Sequence, residues 1–299
     1  MSQTEVRIKR VIVQVLAYTL YGLIAFIVFV YVTFPYDLLQ QRLVDWFSRE
    51  GVQLGLSKLR PAFPPGVQAE GIRVQLDPAS GSEALLSIET LRVEPEWAAL
   101  LSRQWQARFV AGLYGGRLEG DVRYSTGEGP ALWDVKTRLV ELEIAQYPLF
   151  RKDDKTLLRG RLSGDSSMTF SLDGAMQEGN ITLRMQSVAF TGAPGWPFQL
   201  QRDIACDTLQ GELKTSPKQG GIVSLKCQGE DLALDINGTV AWKAPLVESQ
   251  LNMRGQVRSE EAYKQEVDLL AAFVRKRPDR RGELSFRLQG PLRQVRLGA

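Results

Sequence analysis

The carboxylates are the groups in this chain whose types and spacing come closest to chemistry. Glu141 and Glu143 stand two apart, and Asp153 and Asp154 are adjacent. Paired carboxylates are the smallest set that can act as general acid and general base. On a strand, residues i and i+2 share a face, so Glu141 and Glu143 would lie side by side. Carboxylates beside a hairpin are ordinarily just solvated, and a catalytic reading needs a pocket to support it. The chain has no histidine, which removes the commonest general base, the Ser–His nucleophile pair and most zinc sites. These residues predict a protein that is not an enzyme and that carries neither metal nor cofactor.

Cys206 and Cys227 are the only cysteines, too few for a Cys-rich metal site. They flank a predicted hairpin that turns near residues 216–220. In an oxidising compartment they are a candidate disulfide. Leu209 and Leu213 share one face, as do Val223, Leu225 and Cys227, so Cys206 has the wrong parity for Cys227 unless a bulge falls near Asp207-Thr208. The alternative is a pair of buried free thiols. The net charge of +3 comes without a concentrated basic stripe in the body of the chain, which argues against nucleic acid as a partner.

The elements that would position these groups begin with residues 11–34, a run of 24 without a charge. About 20 apolar residues cross a hydrocarbon core as an α-helix, so Val11, Leu16, Leu20, Leu23, Phe26, Phe29, Tyr31 and Phe34 read as a membrane anchor. Arg7, Lys9 and Arg10 precede the run, and Asp37 follows it without a basic cluster. The positive-inside rule then puts residues 1–10 in the cytoplasm and everything after Phe34 outside it. A cleaved signal peptide would have a shorter apolar region and a small-residue cleavage site, and neither is present. The predicted location is the inner membrane of a Gram-negative-type envelope, single-pass, with a periplasmic C-terminal domain.

Residues 35–50 follow as a juxtamembrane helix whose Leu39, Leu43, Trp46 and Phe47 share a face. That face either lies on the membrane surface or covers an open end of the next domain. From residue 51 to 299 the period falls to two, in 52–56, 72–76, 107–113, 117–124, 181–185 and 232–236. Period two marks half-buried antiparallel strands, and Gly, Asn and Asp clusters between them mark hairpins. The predicted fold is therefore mainly β: a curved, largely antiparallel multi-stranded sheet, forming a groove or a sandwich, with a few short helices. An apolar strand face is by default protein core; the alternative is a groove for an apolar guest. A short helix is predicted at 96–102. A longer one near 259–277 starts at the N-cap Ser259 and buries Tyr263, Val267, Leu270 and Val274. Its basic end, Arg275, Lys276 and Arg277 with Arg280 and Arg281, reads as capping and solubility or as a contact for anionic headgroups.

Glycine recurs after apolar strand residues: Gly116-Arg117-Leu118-Glu119-Gly120 matches Gly160-Arg161-Leu162-Ser163-Gly164, and Gly211-Glu212-Leu213, Gly238-Thr239-Val240 and Gly282-Glu283-Leu284 echo it. The junction Phe34-Pro35-Tyr36-Asp37-Leu38-Leu39-Gln40-Gln41-Arg42-Leu43, the segments Leu113-Tyr114-Gly115-Gly116-Arg117-Leu118-Glu119-Gly120, Asp207-Thr208-Leu209-Gln210-Gly211-Glu212-Leu213, Gly229-Glu230-Asp231-Leu232-Ala233-Leu234 and Asn237-Gly238-Thr239-Val240, and the closing Gly282-Glu283-Leu284-Ser285-Phe286-Arg287-Leu288-Gln289-Gly290-Pro291-Leu292 form an ordered set that resembles the type II secretion system protein N family in its delta-proteobacterial form. That family in turn is similar to the AsmA-like group. The resemblance spans most of the chain but departs from it after Leu292, where a proline-rich end is lacking. It implies a structural component or accessory of the type II secretion system, contacting other secretion-system proteins. The rival it implies is an AsmA-like lipid-binding or lipid-transfer protein holding phospholipid in an apolar β groove. It transfers no catalytic residue.

Overall fold

In the computed structural model the period-two segments are strands, and they pair in the order in which they are made. The structure describes residues 14–26, 29, 33–49, 53–63, 66–75, 86–97, 99, 104–126, 131–148, 151–152, 155–156, 158–172, 176–191, 203–216, 220–229, 232–242, 249–259, 267–268, 271–272, 277–279, 282–291 and 296–298. Helix α1 comprises residues 14–26 and α2 is Tyr36–Arg49. The first strands are β1 (Gln53–Ala62), β2 (Gly66–Gln75), β3 (Leu86–Pro95), β4 (Trp105–Leu113), β5 (Gly116–Ser125) and β6 (Leu132–Glu143). A two-stranded hairpin follows, β7 (Arg151–Lys152) with β8 (Lys155–Thr156). Then come β9 (Leu158–Ser171), β10 (Met176–Phe190), β11 (Ile204–Ser216), β12 (Gly220–Gln228), β13 (Leu232–Ala241), β14 (Gln250–Ser259), β15 (Glu283–Pro291) and β16 (Arg296–Gly298).

All except β7 and β8 form one sheet of 14 strands in which each strand is antiparallel to its neighbours in sequence. At about 4.8 Å per strand spacing, the sheet runs roughly 60 Å across its strands. Among the described residues no second sheet packs on it, the β7–β8 hairpin being the other sheet.

Turns and glycines explain how so long a meander stays regular. Tyr114 and Gly115 both take positive φ, 48° and 70°, the two-residue hairpin geometry that matches strand twist. Within the sheet, glycines sit where a neighbouring strand or ring comes down onto the backbone. A Cβ on Gly238 would collide with the Asn252 carbonyl oxygen and the Met253 Cα of β14. Gly238→Ala is therefore expected to cost about 1–3 kcal/mol, the range for overpacking. At Gly55 a Cβ would meet nothing nearer than 3.7 Å, so Gly55→Ala is the neutral control. Urea midpoints at unchanged m-value would read both.

Residues 14–26 of the apolar run are helical and exposed, with Leu16, Leu20, Leu23 and Phe26 all outward. Phe29 and Phe34 are exposed too. The Thr19 hydroxyl donates to the Val15 carbonyl at 2.8 Å. Among the described residues, no helix is long and apolar enough to cross a membrane. Val11 and Tyr31 of the predicted span, and Arg7, Lys9 and Arg10 before it, lie outside the described residues.

Helix α2 lies against β1, with Tyr36 and Leu39 packed on a cluster of Leu59, Ala69 and Ile72. Its buried arc differs from the one the spacing predicts. Leu39, Leu43 and Phe47 are half-buried as expected, joined by Tyr36, Gln40 and Val44, but Trp46 is 56% exposed. The reason is a hydrogen bond. Gln40 Nε2 donates to the Leu56 carbonyl at 2.8 Å, on β1 at the edge of the sheet, and this turns the Gln40 side inward. Trp46 is left roughly 100° from the centre of the arc.

Of the helix predicted near 259–277, residues 267–268 and 271–272 are described and helical, with Val267 and Ala271 buried one turn apart. Tyr263, Leu270, Val274, Arg275, Lys276, Arg280 and Arg281 lie outside the described residues. Trp97 and Ala99 are helical, in agreement with the short helix predicted between β3 and β4.

Tyr114 and Tyr147 meet edge to face, with ring centroids 5.4 Å apart. Burial, reinforced by the Tyr114 phenol, holds the Tyr147 hydroxyl proton above the ordinary tyrosine range. A folded-state value raised above the unfolded one gives stability that is complete below the unfolded value and fades as pH rises through the folded one. Native stability is therefore expected to fall as pH climbs past about 10. Tyr147→Phe should flatten that limb of the urea-midpoint curve.

Candidate functional site: an open apolar sheet face

Register decides what this sheet presents. One interstrand row runs Leu59, Ala69, Leu91, Ala111, Leu118, Leu139, Gly164, Leu183, Gly211, Leu225, Ile236, Gly255, Phe286, each residue paired with the next across β1 to β15. The adjacent row runs Val67, Val93, Phe109, Gly120, Thr137, Ser166, Ile181, Leu213, Val223, Gly238, Met253, Leu288, Leu297 from β2 to β16. Neither row contains a charge. The polar members of these rows, Thr137 and Ser166, satisfy each other through a 2.6 Å hydroxyl–hydroxyl hydrogen bond.

The opposite face is mostly polar, with Val140 and Ile222 exposed among charged and hydroxyl residues. Arg108 pairs with Asp121 at 3.4 Å, Arg138 with Asp165 at 2.9 Å and Lys226 with Asp235 at 3.9 Å. The Asp165 carboxylate, by hydrogen bond and charge, holds the Arg138 proton more tightly than usual. Exposed pairs of this kind add little stability. Their consequence is direction: the outer face belongs in water, so the inner face is the one that needs a cover.

Glycine gathers on the inner face. Gly120 lies under the Phe109 ring, Gly255 under the Phe286 ring and Gly164 under Leu183. Small residues on one face let the sheet curl towards that face, and a ring laid over glycine restores the lost apolar cover.

Cover is uneven along the face. At the β10–β15 end Leu284 is fully buried, with Cys227, Val257, Val188, Val267 and Ala271 packed around it. This part is ordinary protein core. Towards the middle strands the cover is thin, and Leu183, flanked by Gly164 and Gly211 in its row, is 38% exposed.

Cys206 and Cys227 are joined by a disulfide with Cα atoms 5.9 Å apart, inside the closed core. The parity break that such a bond needs lies where β10 bulges at Ser187 (φ 51°), opposite the Asp207 step of β11. Val188 then faces Cys206, and Cys227 stands opposite Leu209.

The paired carboxylates do not gather into a site. Glu141 sits on a bulge of β6 with φ 50°, and both it and Glu143 are exposed. Glu143 accepts a hydrogen bond from Gln146 Nε2 at 2.6 Å. Asp153 and Asp154 lie outside the described residues. Among the described residues, no group of three or more His, Cys, Asp or Glu side chains could hold a metal ion.

Sequence reasoning identifies the apolar alternation but misses that it stays in phase over the whole sheet. The signal lies in the glycines, which recur on one parity from β5 to β15. Comparison of the chain with protein-family models, with curated proteins and with solved structures finds no match in any of the three.

Proposed function

We propose that the protein binds the acyl chains of a phospholipid along the inner face of its sheet. The observation that carries this reading is the pair of uncharged rows from Leu59 to Phe286 and from Val67 to Leu297, on a sheet whose middle strands leave Leu183 exposed. Half-buried apolar surface across the middle strands, with Leu183 exposed in it, calls for an apolar occupant. A membrane acyl chain spans about half of a ~30 Å hydrocarbon core, so the face is long enough for more than one. Such a protein would act by sheltering acyl chains, with no bond made or broken. Titration with a fluorescent polyunsaturated fatty acid tests it: saturable binding that phospholipid displaces is expected. Binding that rises without saturation would overturn the reading.

We place this activity, as part of the same proposal, on the periplasmic side of an inner membrane, with residues 11–34 as the anchor. The charge-free run behind Arg7, Lys9 and Arg10 supports it. The role in type II secretion, as a structural component or accessory in contact with other secretion-system proteins, rests on the ordered glycine motifs and the Phe34-Pro35-Tyr36-Asp37 junction. Deleting the gene and following export of a type II substrate tests that role. Unchanged export would remove it and leave the lipid reading standing.

A further inference from the structure

The two ends of the sheet are built differently. At the end holding the β4–β5 and β6–β9 connections, the large apolar residues Tyr114 and Ile144 are buried, as are Val267 and Ala271 of the β14–β15 connection. At the other end large apolar residues are exposed, among polar ones such as Glu96, Gln104 and Thr126. Phe63 between β1 and β2 is 85% exposed, and Trp97 between β3 and β4, Leu172 between β9 and β10 and Trp242 after β13 also reach solvent.

These side chains stand on turns that are held in place. The Arg92 guanidinium donates to the Phe63 carbonyl at 2.5 Å, and Trp242 Nε1 donates to Thr215 Oγ1 at 2.8 Å. Behind the turns, the last row of the inner face is aromatic: Trp105 pairs with Tyr124, Tyr124 with Trp133 and Trp133 with Phe170. Trp133 packs against Trp105 at 5.7 Å and Tyr124 at 4.9 Å between ring centroids. The apolar surface is therefore continuous from the exposed turns onto the inner face.

We infer that this end of the sheet beds into the interfacial layer of a phospholipid bilayer. Trp and Phe at the tips of loops suit the headgroup boundary, where an amphipathic ring is apolar on one side and wet on the other, and a charge beside them such as Glu96 can stay on the wet side. The bilayer is the occupant the chain itself supplies, since the apolar run of 24 residues precedes the sheet in the same molecule. Docking at this end opens the aromatic row towards the acyl layer. The inference rests on the membrane-anchor reading of residues 11–34 and is separate from lipid binding on the inner face.

The test uses the full chain in vesicles of phosphatidylethanolamine and phosphatidylglycerol, with photoreactive p-benzoylphenylalanine placed singly at position 63, 172, 183 or 138. Positions 63 and 172 probe the turns, 183 the inner face and 138 the outer face. Phospholipid adducts at 63 and 172 are expected to exceed those at 138 by roughly tenfold, as for groups inside the interface rather than in water. Adducts at 63 and 172 no more frequent than at 138 overturn the docking. Adducts at 183 alone do so too, while leaving the lipid-bearing face in place. Adducts at 63 and 172 without any at 183 uphold the docking and count against the lipid-bearing face.

Discussion

Leu183→Lys is expected to lower the bound lipid per chain by roughly tenfold or more without unfolding the protein, because an ammonium cannot lie under an acyl chain at tolerable cost. Position 183 suits the test for a structural reason. It lies near the middle of the row, flanked by Gly164 and Gly211, and is 38% exposed. A lysine there has room to extend and, in the empty protein, water to reach, so the folded state is little disturbed. The matched control is Thr182→Lys. Thr182 is the preceding residue on β10 and points to the opposite, polar face. Lipid occupancy by mass spectrometry and urea midpoints should separate the two: loss of lipid at equal stability for 183, no change in either for 182. Equal occupancy in both variants would mean that the inner face is not where lipid sits.

The second large effect concerns the disulfide. Cys206 and Cys227 close a loop with a sequence separation of 21, and a crosslink over a loop of that length stabilises by about 3 kcal/mol in the chain-entropy account. Its setting adds to this, because both sulfurs are buried beside Val188 and Leu284 in the closed part of the face. The double variant Cys206→Ser, Cys227→Ser would also place two hydroxyls in that core, so reduction of the native protein is the cleaner comparison. Reduced protein is expected to lose about 3 kcal/mol of unfolding free energy, with a larger m-value because the uncrosslinked unfolded chain is more expanded. A change below about 1 kcal/mol would mean that the strand pairing of β11 with β12 already holds these residues together.

Much of the strand content is legible in the sequence. Residues 107–113, 117–124, 181–185 and 232–236 carry the alternation and all lie in strands, and the hairpin expected at 216–220 joins β11 to β12. The pairing scheme is not legible there, because alternation names a face without naming a partner. What makes this sheet simple is that each strand pairs with the next, β1 to β6 and then β9 to β16. Nothing in a period-two pattern excludes a crossover.

Parity fails where the backbone leaves the strand geometry. Glu141 and Ser187 both adopt the left-handed region, with φ of 50° and 51°, which non-glycine residues rarely do and sequence does not announce. The bulge of β10 against β9 at Ser187 turns Val188, opposite Cys206, onto the core side, and the bulge at Glu141 sets that residue apart from a regular strand. Trp46 departs from expectation for a different reason. Its helical spacing is right, and one side-chain hydrogen bond from Gln40 rotates the arc away from it. The open inner face is legible only in part, since each strand shows its apolar side but whether a second layer covers it depends on the whole topology.

The most direct measurement is the lipid carried by the chain from Phe34 onward, which keeps α2 and the whole sheet, purified without detergent and weighed intact by native mass spectrometry. The account predicts at least one phospholipid per chain, retained through purification and removed by Leu183→Lys. A monodisperse, folded chain with no bound lipid would contradict it, and would mean that the inner face is covered by protein.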